Sequence, residues 1–287
     1  MDTILTNIID GKQLATEIKQ QIRTEVINEC LAYDRPAPTL AVILVGEDPA
    51  SEIYVRNKQR ACEVCAINSI VHRMKANTGE DNVIKTIKML NSDPEISGIL
   101  VQLPLPKGYN EKRVLEAISP DKDVDALTPT NQAKLLDGSY LVAPCTPSGI
   151  MEMLKSKKIN PDGKVAVVVG RSKLVGRPIE LMLNSANATT ILCHSHTKNL
   201  KELTALADIL VVAVGKPKLI DASYVKTGAV VIDVGINRGS DGKLCGDVDY
   251  QSVQAKASLI TPVPGGVGPM TIAMLLQNTL KLAKSKI

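Results

Sequence analysis

The apolar run Val165-Ala166-Val167-Val168-Val169 passes directly into Gly170-Arg171-Ser172-Lys173-Leu174-Val175-Gly176-Arg177-Pro178, and this junction decides the fold. Five successive apolar residues, four of them β-branched, predict a strand buried on both faces, as in parallel sheets. The glycines turn the backbone tightly, and Pro178 falls near the first helical turn, where its missing N–H leaves nothing unpaired. A helix starting there aims free N–H groups and the positive end of its dipole at an anion. The spacing departs from G-x-G-x-x-G, so the general dinucleotide fingerprint is only partly met; taken alone, the segment can also be read as a βα turn without a ligand.

The next strand specifies the anion. It reads Thr189-Thr190-Ile191-Leu192-Cys193 and ends at His194-Ser195-His196-Thr197. Folds that select NAD carry an acidic residue about 20 positions past the glycines, bonded to a ribose hydroxyl. Here that place holds Ser195 between two histidines, with Arg171 available from the glycine turn. A hydroxyl and a guanidinium suit a 2′-phosphate, which predicts NADP as the cofactor. The histidines also read as a solvated loop pair. No metal site is expected, because no second cluster of ligands accompanies them.

Around this core lie 287 residues, enough for one large or two ordinary domains. The net charge of +4 is mild and unclustered, so no nucleic-acid partner is expected. Met1-Asp2-Thr3-Ile4-Leu5 lacks a basic leader, and no apolar run is long enough to span a bilayer; a cytoplasmic protein with no membrane partner is expected. The six cysteines are expected as reduced thiols, with Cys62 and Cys65 packed along a helix rather than forming a redox or zinc pair. Phe and Trp are absent and Tyr numbers six, so the core must be aliphatic.

Apolar strands are expected at 39–45, 69–74, 97–102, 165–169, 189–193, 208–214, 229–234 and 257–260. Amphipathic stretches lie near 12–32, 50–67, 80–91, 110–118, 176–185 and 198–206. The alternation predicts an α/β fold of two domains with a cleft between them: an N-terminal parallel-sheet domain and a C-terminal Rossmann-like nucleotide domain. Residues 119–147, rich in Pro, Asp, Gly and Thr, form the seam. The expected division is 1–147, with helix 271–287 packing back on it, and 148–270.

Four further segments carry chemistry. In Ser51-Glu52-Ile53-Tyr54-Val55-Arg56-Asn57-Lys58, Ser51 is the expected helix cap. Ser51, Tyr54 and Lys58 share one helix face with Ala61, Cys62 and Cys65. A lysine in line with such a stripe either snorkels to the surface or projects into a cleft, where a lowered pKa lets it move protons. Gly98-Ile99-Leu100-Val101-Gln102-Leu103-Pro104-Leu105-Pro106 ends a buried strand in an amide at the place where open sheets present ligand groups, or else makes a plain rigid loop. Pro120-Asp121-Lys122-Asp123-Val124-Asp125 puts three acids in five residues. The default reading of such a run is a solvated surface, though one carboxylate there could accept N–H groups of a flat heterocycle. Thr261-Pro262-Val263-Pro264-Gly265-Gly266-Val267-Gly268-Pro269 is a stiff, shaped loop opening a helix, in which glycine backbone can approach a ligand closely.

Together these motifs, in this order over nearly the whole chain, resemble the methylenetetrahydrofolate dehydrogenase/cyclohydrolase family. Ala126 departs from the pattern, which often has Gly there. The resemblance implies two consecutive reactions of one-carbon metabolism. Methylenetetrahydrofolate is oxidised with NADP, and the methenyl product is hydrolysed to 10-formyltetrahydrofolate. It implies Lys58 as the proton-transfer group, Gln102 holding it, and Tyr54 stacking on the folate. It further implies Asp125 accepting from the pterin, and Pro264 and Gly265 lining the folate and nicotinamide site. Gly170, Arg171, Ser172, Val175, Ser195 and Ile236 would hold the cofactor. A homodimer formed through the nucleotide domain is also implied. Another two-domain NADP-dependent dehydrogenase, of the shikimate type, explains the glycine turn but not the Tyr54/Lys58 face or the acidic loop.

Overall fold

A computed structural model describes residues 7–30, 33, 35–239 and 242–286. It divides into two compact units, one comprising Thr16–Cys145 and Ile272–Ile287, the other the chain up to Ala15 with Thr146–Thr271.

The first unit is built on a three-stranded parallel sheet in which β1 (Thr39–Val45) lies between β2 (Asn68–Met74) and β3 (Gly98–Val101). Every residue of β1 and β3 is buried, as two-sided coverage requires, whereas β2 mixes exposed and partly buried positions. Helix α1 (Gly11–Glu29) leads into the unit, and α2 (Pro49–Val64) and α3 (Glu80–Ser92) supply the crossovers. Val83, Ile87 and Leu90 of α3 recur at helical spacing and pack on Ala41, Ile43 and Val101. After the short α4 (Glu111–Glu116), the segment expected as a loop-rich seam holds a helix, α5 (Pro129–Asp137). Its signals are local: Thr128 caps it, Pro129 opens it, and Gly138 closes it at φ 79°. Their density in Pro, Thr, Asp and Gly is what made the stretch resemble a linker.

In the second unit, α6 (Cys145–Ser156) leads to β4 (Val165–Val169), α7 (Gly176–Ser185), β5 (Thr189–Cys193), α8 (Leu200–Thr204), β6 (Ile209–Val212) and β7 (Val230–Asp233). The two-residue strands β8 (Asn237–Arg238) and β9 (Leu244–Cys245) pair antiparallel. Then come α9 (Tyr250–Gln254), β10 (Leu259–Ile260) and the opening residues of α10 (Val267–Lys284), whose remainder from Ile272 belongs to the first unit. The five parallel strands lie in the order β5-β4-β6-β7-β10, so the order reverses between β4 and β6. In open sheets of this kind ligands bind at that switch point, outside the carboxyl ends of the strands.

The grouping of residues 7–15 with this unit differs from the expected 1–147 boundary. Its cause is main-chain pairing that no local pattern announces: Ile8 bridges Ile260, Ile9 donates to the Ile260 carbonyl (2.9 Å), and Ile260 donates to the Asn7 carbonyl (2.9 Å).

Gly98 has no room for a side chain, since a Cβ there would lie 2.2 Å from a Val124 methyl inside the first unit's core. Gly98→Ala should lower stability by about 1–3 kcal/mol through overpacking. A urea-denaturation midpoint equal to that of the parent protein would contradict this packing.

Candidate active site

Helix α2 positions the lysine. Asp48, not Ser51, caps it: the Asp48 carboxylate accepts the Ser51 N–H at 2.8 Å, while Ser51 lies buried inside the first turn. A proline at the opening position makes the residue before it the cap, which moves the cap three residues toward the amino terminus. Ser51, Tyr54 and Lys58 occupy one face, as their spacing requires. Ser51 is buried, Lys58 is half-buried, and Tyr54 is 46% exposed.

The Lys58 ammonium does not run out to solvent. Its Nζ donates to Gln102 Oε1 at 2.9 Å. Gln102 is buried immediately past β3, its backbone N–H bonded to the Ile43 carbonyl (2.9 Å) and its Nε2 to the Leu103 carbonyl (2.6 Å). With the amide N–H₂ engaged by the main chain, Oε1 faces the lysine. Burial lowers the Lys58 pKa from its ordinary value, opposed by the nearby Asp125 charge and, less strongly, by Cys145 and Cys62. Asp125 is held high by burial and pulled down by Lys58 and by the Cys145 thiol, which donates to its Oδ1 at 3.2 Å. An amine with a weakened hold on its proton, next to a desolvated carboxylate, is suited to proton transfer.

The acidic loop is not a solvated surface. Lys122 is buried, with Nζ bonded to the carbonyls of Leu90 (2.9 Å) and Asp93 (2.5 Å). Asp123 is buried too, accepting from Thr128 N–H (2.8 Å) and Asn131 Nδ2 (3.0 Å). Of the three acids only Asp121 is exposed, Asp123 serves the start of α5, and Asp125 is partly buried beside the Cys145 thiol. Ala126, directly after it, is buried at φ 54°. Glycine takes that conformation freely, so the departure from the family's usual Gly costs about 1–2 kcal/mol of backbone strain.

Two groups around Asp125 escaped the sequence reading. Cys145 is one. The other is Asn278 of α10, whose Nδ2 donates to the carbonyls of Val124 (2.8 Å) and Ala143 (2.9 Å) and lies 3.7 Å from the Cys145 sulfur. The 154 positions between Asn278 and Val124 put this contact beyond any local signal.

In the second unit the turn after β4 is closed by glycine. Gly170 sits at φ 119°, and a Cβ there would lie 2.1 Å from the Ala213 carbonyl oxygen; one on Gly176 would lie 1.9 Å from the Gly170 oxygen. The expected free N–H groups at the start of α7 are partly taken from within. Ser172 Oγ accepts from Val175 (3.1 Å) and Gly176 (3.4 Å), and the Ser172 carbonyl accepts from Arg177 (3.1 Å). An anion at this turn would therefore meet fewer open helix donors than expected and would depend more on side-chain charge.

That charge is in place. Gly170 N–H bonds to the Cys193 carbonyl at 2.9 Å, joining this turn to the end of β5, and Arg171 and Ser195 are both exposed there. The His194 imidazole has a lowered pKa, through partial burial and then the Arg171 and His196 charges, and its Nδ1 accepts the His196 N–H at 3.2 Å. Ile236, on the loop after β7, is 51% exposed, with the start of α10 beside it at Gly268. Pro264 follows a cis bond and Gly265 takes φ 102°, its carbonyl accepting the Lys12 N–H at 2.9 Å. A side chain on Gly11 would meet the Gly266 oxygen at 2.0 Å, so this loop packs on the start of α1. Side-chain-free backbone at the strand-order reversal, with an exposed guanidinium and hydroxyl beside it, fits a dinucleotide carrying an extra phosphate. Among the described residues no group of His, Cys, Asp and Glu is arranged to hold a metal, and no helix is long and apolar enough to cross a membrane.

Known proteins resemble this chain over nearly its whole length. Residues 9–125 match the catalytic domain, and residues 144–287 the NAD(P)-binding domain, of the tetrahydrofolate dehydrogenase/cyclohydrolase family. The bifunctional protein FolD of Magnetococcus marinus is 54% identical over 280 residues, covering 98% of both chains. The crystal structure of the bifunctional FolD dehydrogenase/cyclohydrolase from Campylobacter jejuni superposes with a TM-score of 0.95 at 46% identity, over 98% of this chain and 99% of that one. The Trypanosoma brucei FolD, solved with NADP cofactor and an inhibitor, gives 0.92 at 35% identity over 97% of each chain. With both domains matched in order and more than half the residues shared with a full-length relative, the chain belongs to the tetrahydrofolate dehydrogenase/cyclohydrolase family.

Proposed function

We propose that this protein oxidises 5,10-methylenetetrahydrofolate with NADP+ and hydrolyses the resulting 5,10-methenyltetrahydrofolate to 10-formyltetrahydrofolate. The observation that carries the reading is the desolvated Lys58 amine, held by Gln102 at 2.9 Å and biased by Asp125.

The first reaction makes few demands on side chains. The carbon that loses hydride lies between two nitrogens whose lone pairs stabilise the cation, so the protein's task is to orient. When bound, the dinucleotide supplies the hydride acceptor. Tyr54, half-exposed one helical turn before Lys58, offers a ring on which the folate can stack, and Asp125 offers acceptor oxygens to its N–H groups. Gly170, Ser172, Val175 and Ile236 would line the dinucleotide. Arg171 and Ser195 would hold its 2′-phosphate, and Pro264 and Gly265 would shape the place of the reacting ring.

Hydrolysis needs proton movement. Neutral Lys58 takes a proton from water as oxygen bonds to the methenyl carbon; when the adduct collapses, its hydroxyl releases a proton to solvent as the formyl C=O forms, one carbon–nitrogen bond breaks, and the freed nitrogen takes the proton that Lys58 carries. Gln102 keeps the amine aimed while it changes charge. A residue that must be neutral to act is active above its pKa, and lowering that pKa shifts the rising limb of the rate profile downward.

Lys58→Met should abolish the cyclohydrolase while leaving folate binding. In the parent protein, cyclohydrolase kcat should rise with pH to a plateau with a midpoint below 10.5, the ordinary lysine value. Unchanged kinetics in the variant would remove Lys58 from the mechanism.

Asp125→Ala and Arg171→Ala should separate the two ligands. The first should raise the KM for folate by about tenfold or more and leave that for NADP+ nearly untouched, as expected for loss of a charged hydrogen-bonding partner. The second should raise the KM for NADP+ by a similar factor and barely affect NAD+. Equal losses for both substrates in either variant would contradict the assignment.

The same reading makes the protein a cytoplasmic homodimer joined through its nucleotide unit, with tetrahydrofolate derivatives as its partners and no role for nucleic acid or membrane. The family resemblance supports this, and a monomer mass by light scattering at micromolar concentration would overturn the dimer.

A further inference from the structure

Two buried carboxylates in the second unit take no part in either reaction, yet they converge on the carboxyl ends of β6 and β7. Asp247 follows β9 and is fully buried. Its Oδ2 accepts the N–H groups of Val214 (2.7 Å) and Gly215 (3.0 Å), and its Oδ1 accepts those of Lys216 (2.8 Å) and of the Asn237 side chain (2.9 Å). Three consecutive main-chain N–H groups aimed at one carboxylate make an anion nest, here filled by the protein's own side chain. Asp233, at the end of β7, accepts from the main chain of Gly235, Asp247 and Val248, each at 2.9 Å. Burial pushes Asp233 up to about 6 against the pull of those three donors.

The backbone is shaped around the pair. A Cβ on Gly235 would lie 2.4 Å from the Asp247 carboxyl, and one on Gly246 would lie 1.8 Å from that of Asp233. Gly215 takes φ 64°, which lets three neighbouring N–H groups turn to one point. What the carboxylate holds matters for ligand binding. The loop 213–216 includes the Ala213 carbonyl against which side-chain-free Gly170 packs, so it forms the β6 wall of the strand-order reversal. The second loop, 234–237, carries Ile236, and Asn237 beside it is the residue that Asp247 grips.

We propose that Asp247, acting with Asn237, is a positioning residue of the dinucleotide site, locking the loops after β6 and β7 in the shape that receives the cofactor. The inference rests on the NADP-dependent reading above. A carboxylate is required because each of its two oxygens takes two donors. An asparagine would offer a single acceptor oxygen and would press its own N–H₂ against main-chain N–H groups.

The test is equilibrium NADP+ binding by calorimetry, with cyclohydrolase turnover of methenyltetrahydrofolate in the absence of dinucleotide as an internal control. That turnover reads Lys58 and Gln102 in the other unit. Asp247→Asn should weaken NADP+ binding by about tenfold or more, the size of one unmet buried group, with cyclohydrolase kcat within twofold. Asn237→Ala removes only the side-chain bond and should weaken binding by about threefold, again without touching cyclohydrolase.

Unchanged NADP+ affinity in a folded Asp247→Asn protein overturns the proposal. So does parallel loss of binding and cyclohydrolase, which marks a purely structural role. Should Asp247→Asn fail to fold, Asn237→Ala decides, and parent affinity in it overturns the clamp. A parent protein that binds NADP+ but does not oxidise methylenetetrahydrofolate refutes the catalytic reading and leaves this one standing; a parent protein that binds no NADP+ refutes both.

Discussion

Taking a lysine ammonium out of water is the constraint on which the first unit depends. Removal of an amine from solvent is costly unless a partner accepts its protons, and the cost appears as a lowered pKa. The fold meets this with Gln102, whose amide nitrogen donates to the adjacent carbonyl while its oxygen accepts from the lysine, and with Asp125, whose charge opposes the shift without cancelling it. The strand, the capped helix and the acidic loop are therefore parts of one electrostatic arrangement. Moving any of them changes the proton affinity of one nitrogen.

The second unit solves a different problem, bringing main chain close to main chain at the ends of parallel strands. Side chains would prevent it. Gly170 against Ala213, Gly176 against Gly170, and Gly235 and Gly246 against two carboxyl groups all sit at distances a Cβ cannot share. Turns drawn this close have N–H groups to satisfy, and the protein satisfies them internally, with Ser172 at the start of α7 and Asp247 after β6. On the proposed reading, the surface that would receive a dinucleotide is preorganised by these internal bonds, and its specificity would fall to exposed Arg171 and Ser195.

Much of this was legible in the sequence where the signal is periodic or local. The runs 39–45, 165–169 and 189–193 and the helix 176–185 have the predicted bounds, because continuous apolar stretches and glycine punctuation act within a few residues. The shared face of Tyr54 and Lys58 follows from helical spacing alone. The errors share a cause as well. The Asp48 cap, the buried Lys122 and Asp123 and the helix at Pro129–Asp137 turn on which of several polar residues finds a partner, and composition does not rank them.

The sequence by itself determined the alternating architecture, the glycine turn with its unusual pairing of arginine and serine, and the helix face carrying the lysine. Each is set by chain geometry over fewer than about ten residues. Only the tertiary structure decided that Lys58 meets Gln102, that Cys145 and Asn278 surround the segment of Asp125, and that Asp247 holds two loops at once. These contacts join positions tens to more than a hundred residues apart. Their existence depends on burial that excludes water, and burial is a property of the packed chain, not of any stretch of it.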